Sequence, residues 1–244
     1  MYYTTGMMSR PGGREENQDY AGFAEKNGVF CWALADGLGG HRGGARASRL
    51  AVEAMLREFE DRQGIAPEAI ETYLFAAQCA ILTAQKKEAA FSSMKTTAVV
   101  LAADFEEAIW GYLGDSRLYH FRKGKIRFQT KDHSVPGALA ESGDIRIDEI
   151  RFHEDRNRLL RSLGNQEHFR PQIEKTIHPV EPGDAFLLCT DGFWEYVTEK
   201  EMQTDLKGSS KPDEWLHTME KRILKRAGAR HDNYTAIAVQ MINS

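Results

Sequence analysis

Residues 96–129 read TTAVVLAADFEEAIWGYLGDSRLYHFRKGKIRFQ, and this stretch contains several short runs of β-branched and aromatic residues. Such runs predict buried strands, here at 96–103, 108–113, 117–121 and 125–129. Parallel strands need a crossover of about a dozen residues or more, and the connections between these runs are too short for one. We therefore predict an antiparallel sheet.

Strands and helices outside this stretch form separate blocks. Further strand-like runs lie at 28–35, 185–190 and 235–241. Because these strands cluster apart from the helical segments, the pattern favours an α+β layered domain. No linker or repeat interrupts the chain, so we predict a single domain over residues 1–244. Apolar residues recur at helical spacing over 47–55, 70–81 and 215–223.

The composition excludes several classes of protein. The 244 residues include 32 basic and 36 acidic side chains without a basic stripe, which argues against a nucleic-acid-binding protein. The three cysteines form no CxxC pair, which favours a reducing compartment over a disulfide or zinc scaffold. No apolar stretch is long enough to span a membrane, and the first residues do not resemble a signal peptide. We therefore expect a cytoplasmic protein.

The segment 135–174 is the least regular part of the sequence. It combines many arginines with a helical pattern over 149–163, and we expect a mobile surface subdomain there. Its arginines would attract acidic or phosphorylated segments. Acidic residues are interspersed among them, so a solvated helix face is an equally good interpretation. The arginines concerned are Arg146, Arg151, Arg156, Arg158 and Arg161.

Four aspartates share one kind of position. Asp36, Asp115, Asp191 and Asp232 each lie at the edge of an apolar run and precede Gly, Ser or Asn. Taken one at a time, such residues are ordinary turn formers. If the strand ends converge, however, the carboxylates repel one another and need a cation. Carboxylate oxygens select Mg²⁺ or Mn²⁺, and Asp19 is a fifth candidate ligand.

Two such ions about 4 Å apart would suit the hydrolysis of a phosphate ester, because a water between them becomes hydroxide near neutral pH. Gly37 leaves room for its own carbonyl oxygen to approach a cation. Arg14, in a glycine-rich turn before Asp19, is a candidate for holding the phosphate. No cysteine has an arginine six residues later, and GxSxG, Walker A, HExxH and complete GxGxxG motifs are absent.

These residues resemble the sequence motifs of a known family, the metal-dependent Ser/Thr protein phosphatases (PPM family, type 2C), in their bacterial single-domain form. One such motif alone is weak evidence, whereas seven in order along nearly the whole chain are highly specific. The matching segments are 14–19 (REENQD), 35–41 (ADGLGGH), 114–117 (GDSR), 131–134 (KDHS), 156–164 (RNRLLRSLG), 188–194 (LCTDGFW) and 231–236 (HDNYTA).

The resemblance implies a four-layer α-β-β-α sandwich, in which helices flank two packed antiparallel sheets, with a flap subdomain at about 135–174. It implies hydrolysis of phosphoserine and phosphothreonine monoesters by a hydroxide that bridges two metal ions. The implied partners are phosphorylated protein substrates and a cognate Ser/Thr kinase that the enzyme opposes in bacterial signalling. The enzyme itself is expected to be a monomer.

The resemblance also implies roles for single residues. Arg14 would hold the substrate phosphate, and Asp36 would bridge the two core Mn²⁺ or Mg²⁺ ions. Asp191 and Asp232 would complete the first site, and Asp115 with Asp191 would hold a weaker third ion. The full set of implied metal ligands is Asp19 (mostly through water), Asp36, Gly37 (through its carbonyl), Asp115, Asp191 and Asp232.

Two positions depart from the family pattern. Leu38 stands where eukaryotic members carry a histidine thought to act as general acid, so the acid for the leaving group stays unassigned. The nearby His41 is more typical of a solvated loop. Lys95 stands where the family usually has glycine. Two alternatives are therefore kept: a non-catalytic phosphoprotein-binding member, supported only by Lys95, and a two-metal phosphodiesterase, which the acidic net charge opposes.

Overall fold

The computed structural model describes residues 1–38, 41–167 and 169–242, without the side chains of residues 41 and 42. Gly39 and Gly40 of the second motif, and the side chain of His41, therefore lie outside the described residues. Within these ranges the chain forms two antiparallel sheets and a set of flanking helices.

The first sheet joins the two ends of the described chain. Its strands are β1 (Tyr2–Arg10), β7 (Arg117–Arg122), β8 (Lys125–Gln129), β11 (Ala185–Cys189) and β12 (Tyr234–Ile242). They lie in the order β1-β12-β11-β7-β8. All of β1 pairs with β12, from Tyr2 opposite Ile242 to Arg10 opposite Tyr234. Sheet one is therefore held together by contacts between residues that are far apart in the sequence.

The strands predicted over 96–129 are divided between the two sheets: those at 117–121 and 125–129 are β7 and β8 of the first sheet, and those at 96–103 and 108–113 belong to the second. Its main strands are β2 (Asp19–Lys26), β3 (Val29–Leu38), β5 (Ala98–Ala103), β6 (Glu107–Leu113) and β10 (His178–Pro179), in the order β10-β6-β5-β3-β2. Two short strands, β4 (Lys95–Thr96) and β9 (Gln172–Ile173), pair with β3 and β6. Every pairing is antiparallel, which confirms the prediction from the short connections.

Helices cover the outer faces of both sheets and give four layers. α1 (His41–Arg62) and α2 (Pro67–Lys87) pack on the second sheet, and α5 (Glu199–Lys207) and α6 (Pro212–Arg226) pack on the first. The connections contain α3 (Val135–Ser142), α4 (Asp191–Trp194) and 3₁₀ turns at Ala89–Phe91 and Ile147–Phe152. The four-layer α-β-β-α sandwich is therefore confirmed.

The core explains why the central strands are almost continuously apolar. Trp32 and Leu34 on β3 pack between the two sheets with Leu118 and Ile237. Their neighbours in β3 face the other way, toward α1 and α2. A strand buried on both faces needs apolar residues at every position, so its sequence lacks the alternation of a half-exposed strand.

The predicted strands and the helices over 47–55, 70–81 and 215–223 are present, but the sequence patterns miss several other elements, among them β1, β2 and α5. β1 and β2 contain small and polar residues and are partly exposed, and α5 is short and largely charged. The helical pattern over 149–163 is wrong beyond the 3₁₀ turn that ends at Phe152. After this turn the chain is irregular, and Leu163 exchanges backbone hydrogen bonds with Thr96 instead of continuing a helix. In the described chain, no helix is both long and apolar enough to cross a bilayer.

The topology brings the motif aspartates to one end of the two sheets. Asp19 begins β2 and lies directly opposite Asp36, near the end of β3. Asp115 follows β6, while Asp191 follows β11 and Asp232 precedes β12. Because β11 and β12 are antiparallel neighbours, the end of one meets the start of the other.

Candidate active site

A cavity of about 500 Å³ opens where these strand ends meet. Most of the residues predicted for the site lie in its wall, namely Arg14, Asp36, Gly37, Asp115, Asp191 and Asp232. Sequence reasoning assigned no role to several other lining residues, which include Glu15, Glu16, Asn157, Leu159 and Asn233. Each of them lies within a quoted motif or beside a predicted residue, so the motifs themselves were the available signal.

Asp36 is held through its backbone by two threonines of the neighbouring strand. The amide of Asp36 donates to Thr97 Oγ1 at 2.9 Å, and Thr96 Oγ1 donates to the Asp36 carbonyl at 2.7 Å. Gly37 follows, and a Cβ there would lie 2.1 Å from the Gly44 carbonyl oxygen. No larger residue fits at this position, so the sequence Asp-Gly is required by packing.

Asp191 and Asp232 come from the junction of β11 and β12. Asp191 is the first residue of α4, and its Oδ1 accepts a hydrogen bond from the amide of Gly192 at 2.6 Å. A Cβ on Gly192 would lie 2.1 Å from the Asn233 carbonyl oxygen, so this glycine lets the two segments approach. Close packing of the two motifs therefore places both carboxylates at the same wall.

Asp115 lies in a turn whose first residue is Gly114, with a φ of 106° that favours glycine. The neighbouring Ser116 hydroxyl is 2.7 Å from Thr97 Oγ1, which also accepts the Asp36 amide. The indole Nε1 of Trp194 donates to the Asp115 carbonyl at 3.0 Å. The backbone of Asp115 is thus tied both to the strand of Asp36 and to the helix of Asp191.

Asp19 lies behind the cavity wall, where it is 6% exposed and absent from the lining. Its Oδ2 accepts a hydrogen bond from Thr190 Oγ1 at 2.9 Å. Its Oδ1 has no hydrogen-bond partner among the described residues, although it is buried. A buried carboxylate oxygen without a partner is costly and is a natural position for a water or cation contact.

Arg14 is exposed at the cavity mouth and forms an ion pair with Asp232, with Nη2 and Oδ2 3.0 Å apart. Asn233 holds the loop that carries Arg14. Its Nδ2 donates to the carbonyls of Pro11 and Glu16, and its Oδ1 accepts the amide of Gln18 at 2.8 Å. The loop is therefore fixed at both ends by one side chain.

Burial and mutual repulsion raise the pKa values of the carboxyl groups here. Burial is the largest cause for Asp36 and Asp115, whose pKa values lie well above the usual range, and neighbouring carboxylates add to it. For the same first reason, the pKa of Asp19 is raised to about 7 and that of Asp191 to about 6.

The donor chemistry of this cavity fits a divalent cation. The cluster carries an excess of carboxylates that take up protons in place of a counter-ion, and Asp19 Oδ1 lacks a partner. Such oxygen groups are ligands for Mg²⁺ or Mn²⁺. Among the described residues, no group of three or more His, Cys, Asp or Glu side chains already has a metal-binding arrangement. Side chains such as Asp232, now paired with Arg14, would have to turn toward a cation.

Lys95, which replaces the glycine usual in the family, lies outside the cavity. Lys95 lies opposite Leu38 in the β3–β4 pair, but it lines a separate open groove outside the cavity. Its neighbours Thr96 and Thr97 keep their contacts to Asp36.

The arginines of segment 135–174 do not form one solvated face. Arg151 is buried against Glu199, with Nη2 and Oε2 2.7 Å apart. Arg156 pairs with Glu195, whose pKa is raised to about 7 by burial and by the charge of Asp191. Neither arginine is therefore free to attract an acidic partner in this state.

The chain was compared with known proteins. A family model described as Protein phosphatase 2C matches residues 12–230. Protein phosphatase PhpP of Streptococcus pneumoniae is 30% identical over 234 residues, which cover 93% of each chain. The crystal structure of the Mycobacterium tuberculosis serine/threonine phosphatase PstP/Ppp superposes with a TM-score of 0.85 at 27% identity over 99% of both chains. The catalytic domain of PstP in complex with two manganese ions gives a TM-score of 0.83 at 26% identity, over 99% of both chains.

Proposed function

The chain belongs to the protein phosphatase 2C family, and from this premise we propose that it hydrolyses phosphoserine and phosphothreonine monoesters of proteins. As a member it is a protein phosphatase, a hydrolase. The observation that carries the proposal is the convergence of Arg14 with Asp36, Asp115, Asp191 and Asp232 on one open cavity.

We propose that Asp36, Asp191, Asp232 and the Gly37 carbonyl hold two Mn²⁺ or Mg²⁺ ions, with Asp19 contributing through water. Asp115 and Asp191 would hold a weaker third ion. When bound, the ions would supply a water activated to hydroxide near neutral pH and charge neutralisation at the phosphoryl oxygens. The chain's own contribution is to fix the backbone of Asp36 and the carboxylate of Asp191, so that part of the ligand set is in place before substrate arrives.

Arg14 is proposed to bind the phosphate. Its guanidinium now faces the Asp232 carboxylate at 3.0 Å, and a phosphate would offer it a better bidentate partner once Asp232 turns to a cation. No histidine of the described residues lines the cavity, and Leu38 is there instead. Water in this open cavity is therefore the proposed proton donor to the leaving serine or threonine oxygen.

The test is a comparison of Asp191→Ala with the wild type on a phosphothreonine peptide at saturating Mn²⁺. We expect the turnover number of the variant to fall by roughly two orders of magnitude or more, because a proposed ligand of the core ions is lost. Asp61→Ala, on the exposed end of α1, is the matched control and should keep wild-type turnover. Wild-type turnover in Asp191→Ala, or full activity with EDTA, would contradict the proposal.

Phosphorylated proteins are the proposed substrates, and a Ser/Thr kinase acting on the same proteins is the proposed opponent in signalling. A monomeric state and a cytoplasmic location remain predictions. The non-catalytic alternative predicts capture of a phosphopeptide without phosphate release, and the phosphodiesterase alternative predicts cleavage of a diester but not of a monoester. Phosphate release from a phosphopeptide and from a diester, together with a measurement of phosphopeptide binding, therefore separates the three functions.

A further inference from the structure

A buried cluster connects the segment 135–174 to the floor of the cavity. We call it the Trp194 clamp and define it as Arg117, Arg151, Trp194 and Glu199. Trp194 is 1% exposed and Arg117 is also 1% exposed, although one is aromatic and the other is charged. A charged group that is buried this deeply needs partners. The partners of the two arginines lie on three parts of the chain: the loop at Asp132, α4 at Trp194 and the start of α5 at Glu199.

Arg151 grips Trp194 from the side of the 3₁₀ turn Ile147–Phe152. Its Nη1 donates to the Trp194 carbonyl at 2.7 Å, and its Nη2 donates to both carboxylate oxygens of Glu199 at 2.8 and 2.7 Å. The guanidinium therefore uses its fork geometry on two groups at once, which a lysine cannot reproduce.

Arg117 holds the ring of the same tryptophan. Its guanidinium carbon lies 3.5 Å from the centroid of the Trp194 ring, which is a close cation–π contact. Two bonds to Asp132, at 2.8 and 2.7 Å, fix the guanidinium, and its Nη1 lies 3.4 Å from Glu199. Two cations and two carboxylates thus balance one another around the tryptophan.

The indole nitrogen of Trp194 connects the cluster to a residue of the cavity wall. Its Nε1 donates to the Asp115 carbonyl at 3.0 Å, and the Asp115 side chain lines the cavity wall. The chain of contacts therefore runs from Arg151 through Trp194 to Asp115. Every link is a hydrogen bond of ordinary length, so the path is continuous.

We infer that Arg151 is a positioning residue, which couples the turn Ile147–Phe152 to the location of Asp115 by fixing the backbone of Trp194, whose indole Nε1 holds the Asp115 carbonyl. The turn lies at the surface, where Phe152 is 81% exposed and Ile147 58% exposed. A protein substrate that contacts this turn would then shift the position of Asp115 through the buried guanidinium of Arg151. The kinetic part of this inference rests on the proposed function, whereas the structural part does not.

The competing explanation is that Arg151 only pins the turn to α5. The two explanations differ in what they predict for the Trp194 indole. If Arg151 only pins the turn, its loss frees residues 145–155 and leaves the bond to Asp115 intact. If Arg151 orients the tryptophan, its loss weakens that bond as well.

The experiment measures the indole N–H signal of Trp194 by NMR in the full chain without added metal, assigned by its absence in Trp194→Phe. We expect Arg151→Met to speed hydrogen exchange of this N–H by at least about threefold, a change typical of coupled neighbours. Arg146→Met is the matched control, because Arg146 lies beside the same turn and pairs with exposed Asp148. It should leave the exchange rate unchanged.

A kinetic cycle completes the test. With a small aryl phosphate and Mn²⁺, we expect Arg151→Met to lower kcat about threefold or more with little change in KM, and to cause no further loss in a Trp194→Phe background. Should Arg151→Met not fold, Arg151→Lys is measured in the same way. An unchanged indole signal, or losses that multiply in the double variant, would overturn the inference. Failure of every variant and of the wild type to release phosphate would count against the proposed function alone.

Discussion

The turn that carries Asp115 depends on a histidine that stays neutral. His133 is buried and stacks on Tyr112, with ring centroids 5.0 Å apart. Its Nδ1 accepts the amide of Gly114 at 3.2 Å, so a proton on this nitrogen would break the contact. Burial is the largest cause that lowers the pKa of His133 to about 4. A neutral imidazole is thus buried behind the turn that carries Asp115.

This arrangement predicts an acid-sensitive contribution to stability. The pKa of His133 is lowered from 6.5 to about 4, so the unfolded chain binds more protons in that window and stability falls as the pH drops through it. The loss amounts to at most about 3 kcal/mol. We expect His133→Gln to remove it in denaturant titrations from pH 7 to 4. The exposed His217 provides the control variant, His217→Gln, and identical pH profiles for His133→Gln and wild type would refute the assignment.

Lys95 is the only residue in the sequence that supported the non-catalytic alternative. Because its side chain lines a groove outside the cavity, we expect Lys95→Gly to change turnover of a small aryl phosphate by less than about twofold, the range of ordinary surface substitutions. Thr96→Ala is the contrasting variant, since Thr96 Oγ1 contacts the Asp36 carbonyl. A large gain of activity in Lys95→Gly would show that the lysine does perturb the site.

Sequence reasoning found the carboxylates more easily than their supports. Asp36, Asp191 and Asp232 stand in motifs, and each is followed by a turn residue that the packing explains. The hydrogen bond that Thr97 accepts from Asp36 and the one that Trp194 donates to Asp115 join residues from different elements of the fold. Such contacts depend on the tertiary arrangement, and no local spacing in a single sequence indicates them.

At the scale of elements, the loop 11–18 depends on one side chain of the β12 motif. Asn233 makes three hydrogen bonds to the backbone of this loop and is 6% exposed. We expect Asn233→Ala to raise KM for a phosphopeptide about tenfold or more, because Arg14 loses its fixed position. The unfolding free energy should fall by about 1–3 kcal/mol, since backbone groups are left without partners.

The check is steady-state kinetics together with a melting curve. Ser9→Ala is a useful comparison, because Ser9 lies on β1 just before the loop and bonds Asn17 and Thr235 instead of the loop backbone. If Asn233→Ala keeps the wild-type KM while it loses stability, the loop would be positioned by other contacts.

Elements buried on both faces were the easiest to predict. β3, β5 and β6 are long apolar runs, and the short connection between β5 and β6 already required an antiparallel pair. β1 was missed because its residues alternate between exposed, half-buried and buried positions without a strong apolar pattern. The segment after Phe152 was misread because its contacts are with distant residues, such as the ion pair of Arg156 with Glu195 and the backbone bonds of Leu163 with Thr96, and these override a local helical spacing.

For the whole molecule, the clustered carboxylates predict opposite effects of pH with and without metal. The pKa of Asp19 is raised from 3.8 to about 7, so the metal-free folded state binds protons that the unfolded chain has released. Its stability therefore falls as the pH rises through this range. A cation that binds only the folded state adds about 2.7 kcal/mol at a hundred times its Kd.

We expect the melting temperature of the EDTA-treated protein to fall between about pH 5 and 7.5, and saturating Mn²⁺ to raise it most at the upper end. The measurement compares thermal unfolding in EDTA with thermal unfolding in buffers where Mn²⁺ is the only divalent cation. Equal melting temperatures with and without the cation at every pH would be incompatible with a metal site at these aspartates.

The full-length pairing of β1 with β12 determines when, during synthesis of the chain, the cavity can assemble. Arg14 and Asp232 lie just beyond the ends of these two strands, at opposite extremes of the chain. During synthesis, Arg14 leaves the ribosome long before Asp232, so the cavity wall can assemble only after β12 has been made. We expect a chain that stops before Asp232 to lack the proposed hydrolysis of phosphate esters.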